Sequence, residues 1–262
     1  MATPYVVRIS SQKGGVGKTT IAVNLAISLK LMGHRVLIID GDYVNPVVAF
    51  HLGMQEINKG FRSVLMGRAK MPNSVSIHAP TGLHVLGGEM TQKEFEPTAS
   101  QSRRFGSIVK SSAYDFVVVD TPPGFSQQNF FASANEAAIV LTPDLQATAN
   151  AMKLSQIFDR LHLRHNIVLN RVRSRRWELN VGEIEDTYGN KVCAILPEDD
   201  IVPMSIASHI PAFIYSKRCQ FSRGMDRFSR MYSLRAEARP VNGDMGSPAG
   251  GIIGWLRRII GS

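Results

Sequence analysis

Cysteine is scarce in this chain: Cys193 and Cys219 are the only two among 262 residues, and no C-x-x-C pair occurs. A disulfide framework, a zinc ribbon and an iron–sulfur cluster held by one chain are left without ligands, and the compartment reads as reducing. Long apolar runs are also missing. None approaches the roughly 18 consecutive apolar residues of a spanning helix, and the opening MATPYVVRISSQ lacks a basic stretch followed by an apolar core. The expectation is a soluble, cytosolic chain. The seven histidines (34, 51, 78, 84, 162, 165 and 209) show neither H-x-x-x-H nor H-E-x-x-H spacing, and no G-x-S-x-G elbow occurs. They read as core or solvated histidines rather than ligands.

Acidic residues are the smaller charged class, 21 Asp+Glu against 30 Lys+Arg, a net charge of +9. That excess suits nucleic acid, an anionic membrane or solubility alone, and does not choose among them. With 44% hydrophobic residues the chain can fill a core, which excludes disorder from low hydrophobicity and leaves one large domain or two small ones.

Short β-branched runs alternate with helical patterns: YVVRIS (5–10), a helix over about 18–32, RVLIID (35–40), GLHVL (82–86), YDFVVVD (114–120), AAIVLT (137–142), HNIVLN (165–170) and KVCAIL (191–196). Strands that are apolar nearly throughout suit a parallel sheet covered on both faces. The alternation predicts an α/β fold, a mostly parallel sheet flanked by helices. Segment 54–81 reads as loop-rich with a short helix near 61–66, and a last basic helix is expected over about 218–238.

Strand 5–10 leads into SQKGGVGKTT (11–20) and then an apolar helix. Strand, glycine-rich loop and helix together form a phosphate-binding setting. Gly14, Gly15 and Gly17 let the backbone close round an anion, with Val16 between them, and the helix N-terminus adds its partial positive charge. Lys18 is placed to reach the β- and γ-phosphates, Thr19 to give a hydroxyl to Mg²⁺, and Thr20 to follow it into the helix. The common pattern asks for Gly at position 12, where this chain has Gln12; Lys13 precedes the glycines instead.

KGGVGKTT is the deviant Walker A form of the P-loop and resembles that of MinD/ParA-type ATPases. The resemblance implies a P-loop NTPase fold using ATP and Mg²⁺, hydrolysing ATP to ADP and phosphate, and forming a homodimer in ATP in which Lys13 crosses to the partner's nucleotide. RVLIID-GD (35–42) ends a strand in Asp40 and adds Asp42. By the same resemblance Asp42 orients the attacking water and joins the Mg²⁺ shell, with Asp40 in support. YDFVVVD-TPPG (114–124) has the form of Walker B and switch II, with Asp120 toward Mg²⁺ and Gly124 toward the γ-phosphate. Asn170 and Arg171 match the adenine-side strand end, and Pro197, Glu198 and Asp199 the loop that closes the base pocket. A protein regulator or cargo is expected near the switch regions.

RPVNGDMGSPAG (239–250) has linker composition, so the division expected is an ATPase domain over 1–238, a flexible linker and a terminal element over 251–262. On a helical wheel Ile252, Ile253, Trp255, Leu256, Ile259 and Ile260 fall within about 160°, with Arg257 and Arg258 on the other side. That is the composition of an amphipathic helix lying on anionic membrane lipids, and it resembles the terminal helix of bacterial MinD proteins. The implied setting is peripheral, on the inner face of the cell membrane, with a role in spatial regulation such as division-site placement. The alternative is a ParA-like partition ATPase that binds DNA without base readout, through Arg171, Arg173, Arg175 and Arg176 beside Trp177.

Overall fold

The computed structural model describes residues 3–54, 60–89, 97–124, 134–189 and 192–239. The elements run β1 (Tyr5–Ser10), α1 (Lys18–Leu31), β2 (Val36–Asp40), α2 (Val48–His51), α3 (Phe61–Leu65), β3 (Ser76–His78), β4 (Leu83–Leu86), α4 (Ala99–Lys110) and β5 (Phe116–Asp120). They continue with β6 (Glu136–Leu141), α5 (Leu145–Arg160), β7 (His165–Val172), α6 (Val181–Tyr188), β8 (Val192–Pro197), α7 (Ile201–Ala207), α8 (Ala212–Tyr215) and α9 (Gln220–Glu237). The terminal residues 251–262 and the linker 240–250 lie outside the described residues, as does most of the segment after switch II.

One sheet of eight strands runs in the order β3-β4-β2-β5-β1-β6-β7-β8. Every pairing is parallel except β3 with β4. The strands form where the apolar runs are because helices cover both faces. On one face Val7, Ile9, Ile38 and Val118 pack with α1 and α9; on the other, Val6, Leu37, Ile39 and Val119 meet α3 and α4. Ile139, Leu141 and Ile167 pack beneath α5 and α6 in a third cluster. Helix α1 is buried over nearly its whole length between sheet and α9, which explains why its sequence lacks a polar face.

The short helix expected near 61–66 is present as α3, but two details differ from the sequence reading. The segment read as loop-rich also contains β3, an antiparallel edge strand of three residues. Too short for a period, it is held by its partner rather than by propensity. Strand β7 runs on through Asn170 and Arg171 to Val172, with an irregular register opposite β8 and a positive φ of 58° at Arg171. The bulge re-aims the strand at its ligand-side end.

At the opposite edge, where the strands begin, Glu136 is fully buried and accepts hydrogen bonds from Tyr5 Oη (2.8 Å), Asn166 and Arg235. Arg239 stacks on the Tyr5 ring, 4.4 Å from its centroid. The end of α9 is thus pinned to the start of β1.

Candidate functional site

The strand order sets the site. In β2 and β5, neighbours in parallel register, Asp40 stands opposite Asp120, so two carboxylates ending two apolar strands lie side by side. β1 is the next strand along, and its C-terminal end feeds residues 11–17, which wrap into the N-terminus of α1. Ligands in such sheets gather at this edge.

Gly17 occupies the helix N-cap with φ 95°, a left-handed conformation that a side chain resists. Space excludes one as well: a Cβ there would come within 2.4 Å of Asn170 Nδ2. That amide donates to the Val16 carbonyl at 2.8 Å. Asn170, expected on adenine, here clamps the phosphate loop. Ser11 Oγ donates to the Lys13 carbonyl at 2.7 Å, and the Gly124 amide, expected toward a γ-phosphate, donates to the Ser11 carbonyl at 3.2 Å. Switch II and the phosphate loop are therefore coupled through Ser11.

Lys18 is 7% exposed, and burial lowers its pKa against the opposing pull of Asp120 and Asp42. Thr19 Oγ1 donates to Asp120 Oδ2 at 2.6 Å, leaving Asp120 Oδ1 buried without a partner. Burial pushes the Asp120 carboxyl up to about 7, Thr19 and Lys18 pulling the other way. Asp40 Oδ2 accepts from the Val48 amide at 2.9 Å, and its Oδ1 is likewise buried and unpartnered. Burial first, then the neighbouring Asp120 charge, raise Asp40 well above the usual carboxylate range. Asp42 closes a turn by accepting from the amides of Val44 (3.2 Å) and Asn45 (2.9 Å).

The orphaned Asp120 oxygen, the Thr19 hydroxyl beside it and the Asp42 carboxylate, which like Asp120 acts on Lys18, are hard oxygen donors beside the phosphate loop. This set fits Mg²⁺, which keeps several waters and takes few protein ligands together with substrate phosphates. No cluster of three or more His, Cys, Asp or Glu residues able to hold a metal occurs among the described residues, so a dense protein cage is not the arrangement.

A family model described as an AAA domain matches residues 5–171, well over half the chain. The septum site-determining protein MinD of Thermotoga maritima is 24% identical over 267 residues, covering 96% of this chain and 96% of that protein. The chain belongs to the MinD/ParA family of P-loop ATPases. Two solved structures share its fold: Pyrococcus horikoshii MinD complexed with Mg-ADP (TM-score 0.80, 24% identity, 89% of this chain and 97% of that one) and a ParA family ATPase from Chlorobium tepidum (TM-score 0.76, 23% identity, 87% and 98%).

Lys18, Thr19, Asp40 and Asp120 lie together beside the phosphate loop, and of the residues expected at the base, Asn170, Glu198 and Asp199 make contacts within the chain. Pro197 ends β8, paired with Val172. Glu198 pairs with Arg173, and Asp199 accepts from the amides of Ile201 (3.0 Å) and Phe221 (3.2 Å), joining β8 to α7 and α9. Arg171 is exposed. Of the arginines considered for DNA, Arg173 is tied to Glu198, while Arg175, Arg176 and Trp177 (78% exposed) stand outward on a loop whose amides at 173 and 175 are bonded by Glu178.

The sequence reading missed Asp144. Lys13 Nζ lies 3.9 Å from Asp144 Oδ1, and both side chains are nearly half exposed. Asp144 also caps α5, accepting from the Ala147 amide at 2.8 Å. Its proximity follows from β6 lying beside β1, an adjacency the sequence does not display.

Proposed function

We propose that this chain is a MinD-like ATPase that dimerises on ATP, attaches to anionic membrane through residues 251–262, positions or recruits a protein partner, and releases on hydrolysis. The observation that carries the reading is Lys13: it belongs to the phosphate loop, yet its ammonium group pairs with Asp144 and is nearly half exposed. A second copy facing this edge would offer it a nucleotide.

In this reading Lys18 and the loop amides hold the phosphates, and Thr19, Asp120 and Asp42 hold Mg²⁺. Bound there, Mg²⁺ would supply positive charge against the negative charge that develops on transfer. Asp42 orients the attacking water with Asp40 in support, and Lys13 adds a cation from across the dimer. Most of the rate enhancement comes from positioning and electrostatics, so completing the site at an interface also regulates it. A single amphipathic anchor resembles one lipid chain, with an association constant of roughly 10⁴ M⁻¹. Two on one dimer gain on the order of 10²–10⁴ by avidity.

Cosedimentation with anionic liposomes, and separately with duplex DNA, each in ADP and in ATP, tests this. Full-length protein should pellet with liposomes in ATP only, and a chain lacking 251–262 should not, while still binding nucleotide. Equal pelleting with and without 251–262 would refute the membrane role. ATP-dependent, salt-sensitive DNA retention lost on changing Arg175 and Arg176 would install the DNA reading in its place.

A further inference from the structure

Gly88 follows β4 on the ligand side of the sheet, and nothing in the nucleotide motifs points to it. A Cβ built there would lie 2.1 Å from Pro46 Cβ, 3.1 Å from Pro46 Cγ and 3.3 Å from Asp40 Cγ. Its backbone is not in the left-handed region, so alanine would suit the chain conformation. The glycine is needed for room alone.

Neither side of the contact has slack. On the Gly88 side, the Gly87 carbonyl accepts from the Phe61 amide at 2.8 Å, and Glu89 Oε1 accepts from the amides of Gly60 (2.6 Å) and Ser63 (3.0 Å). Residues 87–89 are thereby fastened to the start of α3. On the other side, Pro46 stands between the turn closed by Asp42 onto Val44 and Asn45 and the Asp40–Val48 bond. The ring fixes the proline's φ, so Pro46 yields by moving together with the turn that holds Asp42.

We infer that Gly88 is the seat of the switch I loop: its missing side chain receives Pro46 and so sets where Asp42 stands. It is a positioning residue, acting on the reaction through Pro46 and Asp42 without touching nucleotide. The inference rests on the ATPase reading for its consequence in turnover, but its geometric content is testable apart from it. In Gly88→Ala the added methyl drives Pro46 outward and carries Asp42 with it, and a displacement of about 1 Å in a catalytic group can cost up to 10²-fold. The phosphate loop, on the far side of Asp40, keeps its shape.

The test is a cycle of wild type, Gly88→Ala, Pro46→Gly and the double variant. Steady-state ATP turnover, affinity for a fluorescent ADP analogue, and hydrogen exchange at the Val44, Asn45 and Val48 amides are read for each. Gly88→Ala should lower kcat at least tenfold, change ADP-analogue affinity less than threefold, and speed exchange at those three amides. With Gly at 46 the clash is gone, so the same alanine should cost less than twofold in kcat and leave exchange unaltered. An equal kcat penalty in both backgrounds, or unchanged exchange in Gly88→Ala, would overturn the inference. Should Gly88→Ala fail to fold, recovery of folding and turnover in the double variant supports the inference, and failure of the double variant where Pro46→Gly folds overturns it. A wild type that binds ADP but does not turn over ATP would refute the ATPase reading while the exchange cycle still decides the seat.

Discussion

In the dimer proposed above, Asp144→Asn should tighten association in ATP. In the single chain Lys13 is held by Asp144 at 3.9 Å, and to reach a nucleotide across an interface it must leave that carboxylate. Two unit charges at that separation are worth about 1 kcal/mol in water. Side-chain exposures of 43% and 45% mean that screening and rotamer entropy reduce this, to about 0.5 kcal/mol. Two lysines are released per dimer, so removing both restraints contributes about 1 kcal/mol, close to fivefold in the dimer dissociation constant. Asparagine caps helices about as well as aspartate, so the bond to the Ala147 amide and the start of α5 persist. Sedimentation equilibrium in a non-hydrolysable ATP analogue measures the constant directly. At low salt the variant should dimerise about fivefold more tightly, and the advantage should shrink as salt is added. Equal constants at low salt would show that the contact exerts no restraint. A weaker variant dimer would show that Asp144 supports the interface instead.

Two further outcomes follow from groups away from the nucleotide. Glu136→Leu removes the buried acceptor shared by Tyr5, Asn166 and the partly exposed Arg235 and should cost more than Tyr5→Phe, which removes one hydrogen bond and should cost about 1 kcal/mol. Urea midpoints that fall equally for the two would contradict the role of Glu136 as the hub. His51 is held down to about 4 by burial and then by the neighbouring His209 charge. Its folded state therefore favours neutral imidazole, so the associated stability is complete above pH 6.5 and is lost as pH falls toward 4. The sum is on the order of 2–3 kcal/mol. His51→Gln should flatten the fall in melting temperature between pH 7 and pH 5, and parallel slopes would refute the assignment.

Strand-terminal carboxylates and the phosphate loop were legible because each is a local pattern: an apolar run ending in Asp40 or Asp120, and KGGVGKTT between a strand and a helix. That Asp40 and Asp120 are immediate neighbours was not, since it depends on β2 pairing with β5 across a long stretch of chain. The same holds for Asp144 and Gly88, whose importance lies in what the sheet brings beside them. Asn170, Glu198 and Asp199 matched by position, and in the folded chain their polar atoms bond Val16, Arg173 and the amides of Ile201 and Phe221. A strand-end polar residue announces itself in sequence, but its partner does not.

The pinning of α9 to the starts of β6 and β1, by Arg235 on Glu136 and Arg239 on Tyr5, fixes where the described chain ends. Departure is at the edge where the strands begin, and the phosphate loop is at the edge where they end; one strand length, roughly 20 Å of packed sheet, separates them. In the proposed dimer two such departure points would travel together, so the nucleotide would govern the tail as a tally of subunits rather than as a lever pulled through the domain.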